Sequence, residues 1–285
     1  GFGLLLLAQG VLGGWDRRLA IAVLPAALMV AGVGFRDDHS HVSVRARILV
    51  HGVAAAWAIY WLGGGLEIAL PHGIIAIGWS GQLLVVLAMV WFLNLFNFMD
   101  GIDGIAAGEA VFLAFAGAWL AALSGQQDLV YALLVLGAVA LGFLVWNWYP
   151  AKIFMGDVGS GFLGAVLGML AYAAVAADGV LFWPWVILVA AFVTDASITL
   201  ARRFLRGERW YEAHRSHAYQ RAARRWGHLR VTSAVLLIDT GWLLPMALLA
   251  AGFPAAGVLV ALAAYAPLVL LAFRLGAGVS EAAGR

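Results

Sequence analysis

Long apolar runs alternate with short polar segments along the whole chain. A helix of about 20 apolar residues crosses a hydrocarbon layer of ~30 Å. Runs of that kind lie near 1–13, 19–35, 45–63, 78–97, 104–123, 129–146, 158–177, 180–200, 231–251 and 255–273. The first is short for a full span. A membrane β-barrel would show ten-residue segments of alternating character, which are absent. The pattern therefore predicts an all-α, polytopic integral membrane bundle of about ten transmembrane helices, organised as one domain over 1–285. Short outer connections are expected, among them Gly63 to Gly73. The one sizeable loop, 201–230, carries Trp210, Tyr211, Tyr219 and Trp226 and is punctuated by Gly207 and Gly227. Short interfacial helices are expected there.

Composition agrees. The chain is 64% hydrophobic and 11% charged, against about 25% charged for a soluble domain. It has no cysteine, which excludes disulfides and thiolate metal sites. Of its seventeen basic residues, fifteen fall on one side of the predicted path and only Arg17 and Arg18 on the other. That asymmetry predicts that the basic side is cytoplasmic. A high isoelectric point suggests nucleic acid, but these charges sit in short loops, where they set topology beside anionic headgroups. No nucleic-acid partner is expected, and a homodimer is compatible with such a bundle.

Three acidic segments end apolar runs on the same predicted side. Carboxylates there cost several kcal/mol unless water, a cation or a partner satisfies them. Asp37-Asp38 follows Gly34-Phe35-Arg36; adjacent carboxylates favour a cation beside them, although a solvated helix end also fits. Asn97, Asp100 and Asp103 are spaced by three, which on a helix places them on one face; the other reading is a turn between two spans. Asn147 to Ser160 combines Lys152, Phe154 and Asp157 with Gly156 and Gly159, a tight turn whose amides suit a phosphate, or an ordinary inner loop. His214-Arg215-Ser216-His217 in the basic loop favours anion contact over zinc. Asp195, inside a span, belongs either to the site or to a structural pair. Asp239 is expected to make a helix–helix hydrogen bond. Acids for Mg²⁺, cations for phosphates and an aromatic for a base together fit a nucleoside diphosphate, and the membrane setting implies a lipid co-substrate.

Four segments, in order, also resemble a known family. They are Gly34 to Asp38, Asn94 to Gly104, Pro150 to Leu163 and Arg203 to Gln220. The chain resembles the polyprenyl-phosphate N-acetylhexosamine-1-phosphate transferases of glycosyltransferase family 4, which include the enzyme of the first lipid step of peptidoglycan. Pro-Ala-Lys-Ile-Phe-Met-Gly-Asp and His-Arg-Ser-His-Ala-Tyr-Gln look like the branch that initiates O-antigen and related surface polysaccharides. The resemblance implies transfer of HexNAc-1-phosphate from a UDP-N-acetylhexosamine to undecaprenyl phosphate at the inner face of a bacterial plasma membrane. UMP is released, with Mg²⁺ (or Mn²⁺) as cofactor. It implies Asp157 as metal ligand and Phe154 stacked on uracil. Asn97, Asp100, Asp103 and Lys152 would line the nucleotide side, with Asp37 and Asp38 near the lipid phosphate. His214, Arg215 and His217 would contact the diphosphate or sugar. It also implies one further span and an inner loop ahead of Gly1. Which UDP-sugar is used, among GlcNAc, FucNAc and QuiNAc, stays open.

A lipid-linked sugar transporter is the alternative from another class, and would place charge along a path through the membrane. A CDP-alcohol phosphotransferase needs four spaced acids on consecutive helices, a pattern this sequence lacks.

Overall fold

A computed structural model describes residues 17–40, 42–63, 65–208 and 214–279, together with Gly3. The predicted span at 1–13 and the residues Trp210 and Tyr211 lie outside the described residues, save Gly3. The chain runs through α1 (Arg17–His39), α2 (Val44–Leu62), a hairpin of β1 (Leu66–Leu70) and β2 (Gly73–Ile77), α3 (Trp79–Met99), α4 (Ile105–Leu123), α5 (Gln127–Asn147) and α6 (Gly156–Ala177). It continues through α7 (Phe182–Leu188), α8 (Ala190–Leu205), α9 (Ala218–Trp226), α10 (His228–Ile238), a π turn (Asp239–Leu243), α11 (Leu244–Gly252) and α12 (Gly257–Arg274).

The protein is a polytopic helical membrane protein. Seven helical segments are long and apolar enough to cross a membrane, or eight if α7 and α8 are taken as one broken span. The predicted count of ten is not reached among the described residues. Helix α2 has the length, but Arg45, Arg47 and His51 dilute its hydropathy. The span predicted at 180–200 bends by 66° between α7 and α8. Neither Gly nor Pro stands at this break, at Val189, so the sequence carries no signal for it.

The connection after α2 is also corrected. It is an antiparallel two-stranded hairpin pairing Leu66 with Ile77 and Leu70 with Gly73. The all-α expectation holds for the membrane part and fails here. Pro71-His72 make the turn, and the alternation on either side is too weak to signal strands.

Two helices form the centre. In α4 and α6, 78% and 72% of the spanning window is buried, against 22–44% in the other spans. Their buried faces are rich in Ala and Gly. Lipid tails give helices no hydrophobic reason to associate, so small residues that permit close backbone approach carry the packing. Helix α4 packs on α5, and α6 packs on α1 and α3. Because successive helices alternate in direction, the ends of α1, α3 and α5 meet the starts of α2, α4 and α6 at one end of the bundle. Asp37, Asp100, Asp103 and Asp157 are all at that end.

Candidate active site

Asp157 is the hub of the acidic end. Its Oδ1 accepts from Asn97 Nδ2 at 2.7 Å, and its Oδ2 lies 3.3 Å from Arg47 Nη1. Asn97 also reaches Ser160 Oγ at 3.2 Å, which fixes its amide. Arg47 is shared with Asp37, to which it is ion-paired, and Asp37 Oδ1 accepts from the Val42 amide at 2.8 Å. Thus α1, α2, α3 and α6 converge on one cation and two carboxylates.

Asp38 does something different from its neighbour. Its carboxylate accepts from the amides of Asp157 (3.0 Å) and Val158 (3.3 Å), at the positive N-terminal end of α6. The amides expected to face a phosphate face this carboxylate instead. Gly156 makes the approach feasible: its φ is +66°, and a Cβ there would lie 2.9 Å from Asp38 Oδ2.

Helix α3 stops at Met99, so Asn97, Asp100 and Asp103 do not share a helical face. Gly101 is not helical and Gly104 is left-handed (φ +75°), which turns 100–104 into a tight connection. The turn between two spans is therefore the correct reading of this segment. Burial, and secondarily the charge on Asp157, push the Asp100 carboxyl up to about 7. Asp103 accepts from the Ala151 amide at 3.1 Å through Oδ2, and its Oδ1 is 3.1 Å from His228 Nδ1. Asn147 ties the same turn to the following loop: it accepts from the Gly104 amide (3.1 Å) and donates to Ile153 O (2.9 Å). In that loop Lys152 lies over the Trp146 ring, 5.2 Å from its centroid. Phe154 is 81% exposed, so its ring face is open to a partner.

The basic loop is anchored by an acid whose role the sequence left open. Asp195, buried in α8, accepts from the amides of Ala218 and Tyr219, each at 2.8 Å, and from Thr199 Oγ1 at 3.1 Å. His217 Nδ1 stands 3.3 Å from the same carboxylate. His217 is itself buried, caps α9, and stacks on His214 with ring centroids 4.9 Å apart. Residues 214–217 have no regular secondary structure, so the His pair is not on a helix. Burial, then the charges of His217 and Arg203, lower His214 to about 4, which leaves it neutral near pH 7. Tyr219 donates its hydroxyl to Phe98 O at 3.0 Å, and a Cβ on Gly101 would lie 2.1 Å from that hydroxyl oxygen. A side chain at this position would displace the Tyr219 hydroxyl that ties α9 to the acidic turn. Asp239 pairs carboxyl to carboxyl with Glu109 of α4 in the bundle interior, which is the helix–helix hydrogen bond expected of it.

Between α9 and the 100–104 turn is a polar cavity of about 600 Å³ lined by Gly101, Ile102, His214, Arg215, Gln220, Arg224 and His228. Beside it an apolar cavity of about 370 Å³ opens among α8, α9, α10 and α12, bordered by Met99, Phe192, Tyr219, Trp226 and Leu268. Sequence reasoning passed over Arg47 and His228, and gave Asn147 and Ser160 no role beyond bounding their segment. Arg47 was counted only as a topology charge, though a cation inside an apolar run is itself a signal.

Among the described residues no three His, Asp or Glu side chains gather closely enough to cage a metal ion. Mg²⁺ usually takes one or two carboxylates and completes its octahedron with substrate phosphates and water. Asp157, with the neighbouring Asp100 whose ionisation its charge disfavours until a cation is bound, fits that donor set.

Residues 20–175 match glycosyl transferase family 4. The chain is 43% identical over 169 residues to a phospho-N-acetylmuramoyl-pentapeptide-transferase of Moorella thermoacetica, covering 54% of this chain and 52% of that one. It is 32% identical over 224 residues to a Bacillus subtilis protein named as an undecaprenyl-phosphate N-acetylglucosaminyl 1-phosphate transferase, covering 75% and 60%. A Sulfolobus acidocaldarius protein named for UDP-N-acetylglucosamine and dolichyl phosphate is 28% identical over 156 residues, covering 53% and 48%. The matched regions thus span about half to three fifths of these relatives' lengths. With more than half of its length matched, including the Asp37–Asp38, Asn97–Asp103 and Asp157 segments, the chain belongs to glycosyl transferase family 4.

Proposed function

We propose that the protein transfers a HexNAc-1-phosphate from a UDP-N-acetylhexosamine to a polyprenyl phosphate, at the cytoplasmic face of a bacterial plasma membrane. An oxygen of the acceptor phosphate attacks the β-phosphorus of the nucleotide sugar. The bond from that phosphorus to the bridging oxygen breaks, and UMP leaves with the electron pair. The product is a polyprenyl-diphospho-sugar that initiates a cell-surface polysaccharide.

The observation that carries this reading is the joined acidic centre of Asn97, Asp157, Arg47 and Asp37, opening beside a basic cavity. Such a centre handles phosphate charge at a membrane surface. Mg²⁺, or Mn²⁺ in its place, would be held by Asp157 with Asp100 and would neutralise the diphosphate as charge develops on the leaving UMP. Asn97 keeps the Asp157 carboxylate aimed, and Ser160 keeps Asn97 aimed. Phe154 offers its open face to the uracil, and Lys152 a cation to the phosphates. Arg215 and His214 line the cavity for the diphosphate and sugar, while buried His217 supports them from behind. Asp38 and Asp37 fix the α1–α2 corner on the acceptor's side, and Asp38, the exposed one, is the carboxylate open to an acceptor proton. The adjoining apolar cavity suits the first isoprene units of the acceptor.

A transporter of lipid-linked sugars would need ionisable groups along a path. Here Asp37, Asp100, Asp103 and Asp157 gather at one end, while Glu109 and Asp239 lie in the interior. Release of UMP by purified protein, tested with UDP-GlcNAc, UDP-FucNAc and UDP-QuiNAc and undecaprenyl phosphate, decides between the two. UMP from at least one sugar is expected; UMP from none sinks the transferase reading. The absence of native cysteine gives a clean test of sidedness. A cysteine at Gln127 should be labelled from outside intact cells and one at Ser40 should not.

A further inference from the structure

We infer that His228 is a further substrate-binding residue, held in place by Asp103, and that it donates to an oxygen of the β-phosphate of a nucleoside diphosphate in the polar cavity. Nothing in the spacing of the acidic segments points to it, since 125 positions separate it from Asp103.

The geometry is that of an oriented imidazole. His228 opens α10 directly after Gly227, whose φ of +83° turns the chain into the site. Its Nδ1 is 3.1 Å from Asp103 Oδ1. Asp103 is in turn fixed from separate elements. The Ala151 amide donates to its Oδ2 at 3.1 Å, and Thr232 Oγ1 of α10 donates to its backbone oxygen at 2.8 Å. Tyr149 stands edge-on to the ring with centroids 6.4 Å apart. Asp103 meets Nδ1 with both its amide, at 3.5 Å, and its carboxylate, which sets the ring's orientation and leaves Nε2 for a ligand.

The ring also borders the right space. The side chain of His228 is 42% exposed, and it lines the cavity of about 600 Å³ together with Arg215, Arg224, Gln220 and His214. Two guanidinium groups make that cavity a place for an anion. Its other wall, Gly101 and Ile102, belongs to the turn between Asp100 and Asp103. An anion there is next to the carboxylates assigned to the metal, which is where the β-phosphate of the donor belongs under the transferase reading. The inference rests on that reading.

The test compares binding of UDP and UMP to purified full-length protein by calorimetry, for wild type and His228→Ala. His228→Phe, which keeps ring volume without a donor, takes its place if the alanine variant does not fold. Loss of one charge-assisted bond should weaken UDP about tenfold or more and leave UMP binding unchanged. The KM for the nucleotide sugar should rise in parallel, with the KM for undecaprenyl phosphate unchanged. His228→Gln, which retains an N–H donor, should recover part of the loss. Equal weakening of UDP and UMP would mean that His228 acts through the fold, and overturns the assignment. Unchanged UDP affinity, or a change confined to the lipid's KM, overturns it as well. A wild type that binds UDP but releases no UMP sinks the transferase reading alone, and the UDP–UMP difference still decides on His228. A wild type that binds no UDP sinks both.

Discussion

The two ends of this bundle use their carboxylates differently. At the end formed by Gly63, Ser124 and Asp178, the acid is satisfied by its surroundings. Asp178 accepts from the Val180 amide two residues on and from Ser124 Oγ at 2.7 Å, and it caps a short helical turn. At the other end Asp37, Asp103, Asp157 and Asp195 also reach partners in other segments, but there cations or polar cavities stand beside them. The first arrangement terminates helices. The second gathers charge from α1, α2, α3, α6, α8 and α9 at one place, at a desolvation cost that fold stability alone does not repay.

If that contrast is functional, substitutions at the two ends should separate activity from stability. The largest effect is expected for Asp157→Asn. The shape is kept and Asn97 retains an acceptor, but the charge opposite Arg47 is gone. UMP release should fall on the order of 100-fold or more in a protein that still inserts and unfolds cooperatively, and added Mg²⁺ should not restore it. Substantial residual turnover would move the metal to Asp100.

Asp195→Asn comes next. The variant keeps one carbonyl oxygen for two amides, so α9 loosens against the Gly101 turn. The cost should be about 1.5–3 kcal/mol, visible both as a lower unfolding temperature and as a raised KM for the nucleotide sugar. A fall in stability with unchanged KM would show that Asp195 is only structural.

Asp178→Ala is the matching substitution at the far end. Loss of a cap is worth about 1 kcal/mol, and neither KM should move. A changed KM would erase the distinction between the ends.

The smallest effect concerns His214. A histidine with a folded-state value of about 4 and an unfolded value near 6.5 takes up a proton on unfolding between those limits. Its contribution to stability is therefore complete above pH 6.5 and shrinks as pH falls toward 4. His214→Gln should lose less stability than wild type between pH 7 and pH 5 in thermal unfolding. An identical loss would place the imidazole in a more solvated setting.

These contrasts also explain what the sequence could disclose. That Asp100, Asp103 and Asp157 lie at one end of the bundle was legible because carboxylates at the ends of apolar runs are costly. The span positions were legible to within a few residues because twenty apolar residues leave little choice. Gly207 and Gly227 correctly announced the breaks around α9, both with positive φ. Other features depend on tertiary placement. The contact of Asp195 with α9 follows a 66° bend that no Gly or Pro announces. His228 reads as the first residue of an ordinary span until the fold brings Asp103 to it. The hairpin at 66–77 was hidden because both strands are nearly all apolar, without the alternation that separates strand from helix.

The central claim is that phosphorus, together with sugar, passes to the lipid at the acidic end. UDP-N-acetylhexosamine labelled with ³²P at the β-phosphate tests this directly, with purified full-length protein and undecaprenyl phosphate. The account predicts that the label enters the organic phase in step with release of unlabelled UMP, and that Asp157→Asn abolishes both. Label that stays in the aqueous phase as UDP while sugar reaches the lipid, or that does not move at all, would contradict it.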